Sequence, residues 1–205
     1  MLKDIENYLD ELFPNPKCEL NYTKDYELLI AVVLSAQTTD KRVNSVTSIL
    51  FDKYPTLEAL SKADTEDIKD IIKPIGTFHK KAKFVKEIAE ILIEDYDGKV
   101  PNNRKSLEQM PGVGRKTTNV VLSNLFDVPA IAVDTHVSRV SKRLGLAKQN
   151  DDVKVIEKKL MKKFDKSTWS KRHHQLVLFG RYHCKAVSPN CKNCKLINVC
   201  KDKKK

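Results

Sequence analysis

The sequence predicts an all-α protein on three observations. Apolar residues recur at three- and four-residue spacing through almost every segment, helix caps and terminators punctuate those segments, and no stretch shows a convincing strand alternation. "VPAIAV", residues 128–133, is the single β-like run, and it is short. With 205 residues, 40% of them hydrophobic, the chain can fill the core of one ordinary domain or of two small interlocked ones, which argues against disorder of the whole.

Leu2, Ile5, Leu9 and Leu12 mark one stripe of an amphipathic N-terminal helix. "YELLIAVVLSA", from Tyr26, is apolar nearly all round and predicts a central, buried helix. Asp40 can cap the next helix, which carries Val43, Val46, Ile49 and Leu50. In "ADTEDIKDIIKPIG", Asp64 and Thr65 are the cap candidates, and Pro74 and Gly76 form the stop. From Phe78 to about Tyr96 a further helix repeats Ala82, Val85, Ile88, Ala89 and Leu92, and Gly98 and Pro101 close it.

"MPGVGRKTTNVV", Met110 to Val121, is the first stretch with chemical content. It is not a P-loop, because Arg115 separates Gly114 from Lys116, nor a dinucleotide fingerprint, because Thr117 stands where a third glycine is needed. A short helix ending at Met110, a tight turn over Pro111, Gly112, Val113 and Gly114 whose glycines tolerate positive φ, and a second helix from about Arg115 to Phe126 make a helix-hairpin-helix. Its backbone N–H groups, beside the start of a helix, suit a DNA phosphate bound without sequence readout; the plain alternative is a turn and nothing more.

Lys116 falls in the first turn of that second helix. The positive end of the macrodipole disfavours an ammonium there, and burial would disfavour it further, leaving some neutral amine, which is a nucleophile. A lysine that merely contacts phosphate is the alternative. Eighteen residues on, in "IAVDTHVSRVSKRLGLA", Asp134 precedes a helix with Val137, Val140 and Leu144 inward and Gly145 as terminator, so N-capping is its simplest role. A capping carboxylate could also take a proton from Lys116 and stabilise positive charge forming on a sugar.

Charge narrows the partner. Lys plus Arg number 38 against 27 acidic residues, giving a net charge of +11 spread along the chain, which favours a polyanion; solubility is the plainer reading. No apolar run reaches membrane-spanning length, and a cytoplasmic protein is expected. The chain has 5 cysteines, which in that setting argues against a disulfide framework. Cys184, Cys191, Cys194 and Cys200 are spaced C-x6-C-x2-C-x5-C, which suits structural zinc or an iron-sulfur cluster; only one short C-x2-C pair weakens zinc. Cys18, alone beyond Pro16, reads as a small apolar residue. His173 and His174 read as packing or hydrogen-bonding residues, and the tail "KDKKK" as a solvated end with weak phosphate affinity.

"LEQMPGVGRKTTNVVLSNLF", "IAVDTHVSRVSKRLGL" and the cysteine spacing, in that order, closely resemble the endonuclease III family of DNA glycosylases and AP lyases. The likeness extends through "ELLIAVVLSAQTTDKRVN" and "HHQLVLFGRYHC", so it covers most of the chain. The resemblance implies a two-domain helical fold: a six-helix domain over residues 20–128 carrying the hairpin, and a cluster-bearing domain of residues 1–19 with 129–205, the cleft between them holding Lys116 and Asp134. It further implies a [4Fe-4S] cluster on the four cysteines, chiefly structural and DNA-orienting.

By position, the resemblance makes Lys116 the nucleophile, Asp134 the assisting carboxylate and Gln37 the side chain filling the space left by an extruded base. Pro111, Gly112, Val113, Gly114 and Arg115 become the DNA-binding hairpin. Where relatives often place a leucine wedge, this chain has Thr77, which argues against insertion from that position; Phe78 beside it is the substitute, or His79, Lys80 and Lys81 act on phosphates instead. The implied activity is excision of oxidised or damaged pyrimidines from double-stranded DNA and cleavage of the abasic site by β-elimination, carried out by a monomer in the cytoplasm, on the nucleoid. Lys116 argues against a monofunctional mismatch glycosylase, as does the short stretch after Cys200, which predicts no further recognition domain. A rival of another class is a non-catalytic, cluster-containing DNA-binding protein that senses redox state.

Overall fold

The computed structural model describes residues 1–202, and Lys203 to Lys205 of the basic tail lie outside them. Among the described residues the chain is helical, with no strand, as the periodicity predicts. In chain order the helices are α1 (Leu2–Leu12), α2 (Asp25–Leu34), α3 (Asp40–Lys53), α4 (Leu57–Ser61), α5 (Thr65–Ile72), α6 (Phe78–Tyr96), α7 (Arg104–Glu108), α8 (Arg115–Leu125), α9 (Thr135–Arg143), α10 (Val153–Lys163) and α11 (Trp169–Leu178). No helix among these residues is long and apolar enough to cross a membrane. The chain divides into two compact units, Glu19–Phe126 and Met1–Cys18 with everything from Asp127 on.

In the Glu19–Phe126 unit, α2 is the centre. Leu28, Leu29, Ile30, Ala31 and Leu34 are all fully buried, and the helix packs against α3, α6 and α8. Its buried charge, Glu27, is satisfied: one carboxylate oxygen accepts from the N–H groups of Thr23 at 2.7 Å and Lys24 at 3.2 Å and from the Thr23 hydroxyl at 3.0 Å. Those bonds hold an anion at the positive end of the helix and make its burial tolerable.

Two expectations for α3 need correction. Thr39, not Asp40, is the N-cap, and Asp40 is the first helical residue. Ile49 is 56% exposed, and Thr47 is buried in its stead with its hydroxyl donating to the Val43 carbonyl at 3.0 Å. At 3.6 residues per turn, position 49 lies about a quarter of a turn from the centre of the stripe formed by Val43, Val46 and Leu50, on its Val46 side, whereas position 47 lies about a fifth of a turn away on the opposite side, beside Val43.

Asp64 does cap α5, accepting from the Glu66 N–H at 2.9 Å, and the helix ends at Ile72 before Pro74. α6 buries Ala82, Val85, Ile88, Ala89 and Leu92 and stops where Asp97 and Gly98 turn left-handed, with the Gly98 N–H reaching back to the Leu92 carbonyl at 2.7 Å. Asn103 caps α7, accepting from the Ser106 N–H at 2.9 Å. The Arg104 guanidinium then spans from Glu108 on its own helix to buried Asn119 on α8.

The other unit has its own core, in which Ile5 and Leu9 of α1 meet Val137 and Val140 of α9, Ile156 and Leu160 of α10, and Leu176 of α11. The run at 128–133 forms no strand; Ala130 to Val133 are buried without regular secondary structure, so burial accounts for its apolar character. α1 is fastened to α11 by buried polar groups. The Gln175 side-chain amide donates to the Leu9 carbonyl at 3.1 Å and the Phe13 carbonyl at 2.9 Å, and Arg172 forms a two-pronged bond to Asp10 at 2.9 and 3.1 Å. α11 runs on into a wider turn over Phe179–His183. Gly180 lets that turn approach α9: a Cβ there would lie 2.8 Å from Cβ of His136.

Candidate functional site

In the hairpin between α7 and α8, Gly112 has φ of 74°, and a Cβ there would lie 2.6 Å from the Phe84 ring and 3.0 Å from a Val33 methyl. Both the conformation and the space demand glycine. Gly114 differs from the expectation: its φ is −106° and a Cβ would meet nothing, so its backbone needs no glycine. Val113 is buried and pins the turn from below, while Gly114 and Arg115 are exposed and Pro111 is half-buried. No side chain caps α8. Its first-turn N–H groups, which have no acceptor within the helix, therefore start at an exposed turn with the positive end of the macrodipole, an arrangement that can hold a phosphate oxygen.

Lys116 is the second residue of α8, and its side chain is exposed. The residues that follow it on the helix, Thr118 to Leu122, are buried. The amine is thus carried at the surface by a helix rooted in the core, against α2.

Two further loops of this unit carry the other sequence-predicted residues. Gln37 is exposed with φ of 57°, and Thr77 is exposed with φ of 58° immediately before α6. Left-handed backbone costs a non-glycine residue about 1–2 kcal/mol, and a β-branched threonine there is an outlier. Such strain persists where the surroundings over-determine it, and it clusters at ligand-handling sites. Phe78 is half-buried, its ring 4.0 Å from that of exposed His79.

Lys81 corrects the expectation that it joins His79 and Lys80 on phosphates. It is 3% exposed, and its ammonium points inward, donating to the carbonyls of Leu34 at 2.9 Å and Ala36 at 2.7 Å and to the Thr38 hydroxyl at 3.3 Å. Burial pushes its pKa down from the ordinary lysine value. The signal was present in the sequence: positions 81, 85, 88 and 92 share one helix face, so this lysine interrupts an apolar stripe.

In the other unit Asp134 is half-buried and caps α9, one oxygen accepting from the Val137 N–H at 2.7 Å. A carboxylate has further lone pairs beyond that bond for a proton or a developing positive charge. Burial pushes the nearby His136 imidazole below its ordinary value, against the raising influence of Asp134.

Cys184, Cys191, Cys194 and Cys200 are half-buried free thiols. Cys184 follows the wide turn at the end of α11, and Cys191 opens a 3-10 turn ending at Asn193. Burial, and secondly the neighbouring sulfurs and charges, push the Cys194 and Cys200 thiols up, despite a backbone hydrogen bond to each. α9 lays two arginines along this segment: Arg143 donates to the Cys184 sulfur at 3.5 Å, the Lys185 carbonyl at 2.7 Å and the Asp202 carboxylate at 2.6 Å, and Arg139 donates to the carbonyls of Gly180 at 2.7 Å and Cys184 at 3.2 Å. Sequence reasoning missed both, because their partners lie some forty residues away and no local pattern marks them. Among the described residues no three His, Cys, Asp or Glu side chains converge on a point that would hold a single metal ion. Of the histidines, His173 is buried with its ring 4.9 Å from that of His174.

Residues 30–166 match the model of the HhH-GPD superfamily base excision DNA repair proteins. The chain is 50% identical over 207 residues to endonuclease III of Bacillus subtilis strain 168, covering 100% of this chain and 94% of that protein. It is 43% identical over 202 residues to endonuclease III of Escherichia coli K12, covering 98% and 95%. Among solved structures it is similar to a trapped endonuclease III–DNA covalent intermediate, an estranged-adenine complex, with a TM-score of 0.93, 48% identity and coverage of 98% and 96%. A non-covalent endonuclease III–DNA complex matches with a TM-score of 0.92, 49% identity and coverage of 98% and 95%.

Proposed function

The chain belongs to the HhH-GPD superfamily of base excision DNA repair proteins and, within it, to the endonuclease III family of DNA glycosylases and AP lyases, and on that footing we propose that Lys116 is its nucleophile and Asp134 the carboxylate that assists it. The observation that carries this reading is the placement of the Lys116 amine: exposed, in the first turn of an uncapped helix, directly after a hairpin suited to phosphate. The substrate is double-stranded DNA bearing a damaged pyrimidine or an abasic site, met by a monomer in the cytoplasm, on the nucleoid, and a net charge of +11 favours that encounter.

The hairpin, through Pro111, Gly112, Val113, Gly114 and Arg115, grips the phosphate backbone without reading bases. A damaged base must leave the stack before its sugar carbon can be reached, at a cost of a few kcal/mol that is least for a poorly stacked lesion. Gln37 fills the space left behind, and the Thr77–Phe78 loop steadies the opened pair. Lys116 attacks C1′ as the neutral amine; a nitrogen–carbon bond forms and the glycosidic bond breaks, the base leaving with the electron pair, and the proton then shed by the nitrogen passes to Asp134. Ring opening gives the Schiff base. Loss of a proton from C2′ to solvent then expels the phosphate on O3′ with the bonding electrons, and the strand is cut. Asp134 offsets the positive charge that grows on the sugar.

Cys184, Cys191, Cys194 and Cys200 are the residues that would hold a [4Fe-4S] cluster, which supplies a rigid cross-link for residues 184–200. The donor set fits: a cluster binds its cysteines at separate irons, so they need not converge on one point, and Arg143 beside the Cys184 sulfur offsets thiolate charge. A brown protein whose visible absorbance bleaches with acid, with iron and sulfide in equal amounts, is expected; zinc at one per chain overturns the assignment.

Borohydride trapping tests the catalytic reading. Wild type is expected to give a covalent adduct with abasic and thymine-glycol duplexes, and Lys116→Gln none. Equal adduct in both proteins removes Lys116 from the mechanism, and no adduct in either leaves the non-catalytic DNA-binding, redox-sensing reading.

A further inference from the structure

We propose that Lys81 is a positioning residue for base extrusion: its buried ammonium fixes the Gln37 loop to the start of α6, so that the two segments facing the opened base pair move as one. The inference rests on the reading of Gln37 as the side chain that fills the vacated space.

The geometry is specific. An ammonium has three hydrogens, and all three are committed, to Leu34 and Ala36 before Gln37 and to Thr38 after it. Those acceptors bracket the one residue of the loop with positive φ. The Leu34 carbonyl at the end of α2 and the Ala36 carbonyl, which also accepts from the Thr38 hydroxyl at 3.4 Å, are thereby tied to one group, and the loop is held in a conformation that leaves Gln37 exposed. The Lys81 backbone N–H donates to the Thr77 carbonyl at 3.2 Å, so the same residue also closes the first turn after the second left-handed position. A lysine 3% exposed on the apolar face of α6 has no role on the phosphates outside. Nor is it there for core packing, since an apolar side chain of similar length would fill the stripe without placing a charge in it.

A side chain that acts through Gln37 has a different kinetic signature from one that merely supports the fold. A lesion base must be unpaired and replaced, whereas an abasic site has no base to extrude. Single-turnover rates should therefore be measured on a thymine-glycol duplex and on a preformed abasic duplex for wild type, Gln37→Ala, Lys81→Met and the double variant, with 2-aminopurine beside the lesion reporting unstacking. Lys81→Met is expected to be slower by about tenfold or more on thymine glycol and by less than about threefold on the abasic duplex, and to lose the fluorescence rise as Gln37→Ala does. The double variant should be no slower than Gln37→Ala alone, because both changes remove one function. Should Lys81→Met not fold, Thr38→Val, which removes a single acceptor, is expected to give a smaller loss of the same pattern.

Losses that multiply in the double variant, or that are equal on the two duplexes, overturn the proposal, as does a Lys81→Met protein with wild-type rates beside a slow Gln37→Ala. If Gln37→Ala is itself unimpaired, the gap-filling role fails and this inference fails with it, while trapping by wild type still tests Lys116 separately.

Discussion

One methyl group at Gly112 would stand 2.6 Å from the Phe84 ring in a backbone that L-residues rarely adopt, and the same group at Gly114 would stand in open space. The two glycines of the hairpin therefore answer to different forces. Gly112→Ala combines left-handed strain with overpacking of Phe84 and Val33, and is expected to cost about 2–4 kcal/mol of stability. Gly114→Ala is expected to cost less than about 1 kcal/mol, the scale of a changed N-cap. Urea unfolding of both variants checks the contrast; equal losses would mean that the turn is held by something other than the close approach to α6. The sequence shows both glycines with equal force, because a turn motif states where the chain reverses and not which position lacks room. Lys116 is a similar case. Its place in the first turn of α8 was legible from spacing, but exposure of its amine was not, since that depends on what packs over the helix.

At the scale of the element, local caps and apolar stripes account for most helix boundaries, and buried polar groups decide how the helices are joined. α1 is the clearest instance. Its apolar stripe is legible as Ile5 and Leu9, whereas its ties to α11 through Asp10, Arg172 and Gln175 span more than 160 residues of sequence and leave no local mark. Burial works against ionising Asp10, but hydrogen bonds from Lys171, Arg172 and Gln175 outweigh it and hold the carboxyl well below the usual carboxylate range. A carboxyl lowered in the folded state stabilises that state at pH above its unfolded value, near pH 4, and the contribution is lost as pH falls through the lower folded value. Unfolding free energy should thus decline from pH 5 to pH 3 in wild type, and Asp10→Asn should be less stable at pH 5 with a shallower decline. An unchanged slope would show that Asp10 is not the group that titrates. The departures on α3 and at Lys81 have a common origin at this scale: residue type alone buries Ile49 and exposes Lys81, whereas helical phase puts the first at the edge of its stripe and the second within its own.

For the whole molecule, stability is unevenly placed. The Glu19–Phe126 unit has a core of its own around α2, whereas between residues 185 and 202 Leu196 is the one buried side chain. Among its attachments are the Tyr8 hydroxyl donating to the Asn193 carbonyl at 3.1 Å, the Lys201 N–H donating to the Arg143 carbonyl at 2.6 Å, an exposed Lys195–Glu11 ion pair, Arg143 to Lys185 and Asp202, and the packing of Leu196, Cys194 and Val199 on the core. An exposed ion pair contributes about 0–1 kcal/mol and a hydrogen bond about 1 kcal/mol, too little to order a chain of this length against its conformational entropy. A [4Fe-4S] cluster on the four cysteines, as proposed, would supply further stabilisation, because metal-binding free energy becomes folding free energy where no preformed site survives unfolding. Stripping iron and sulfide from the full chain and returning it to neutral pH should therefore raise amide hydrogen exchange through residues 184–202 while leaving α2 and α6 protected as before. Amides that stay protected at 184–202 after the iron has gone would show that protein contacts suffice there, and the structural role proposed for the cluster would fail even with all four cysteines bound to it in the native enzyme.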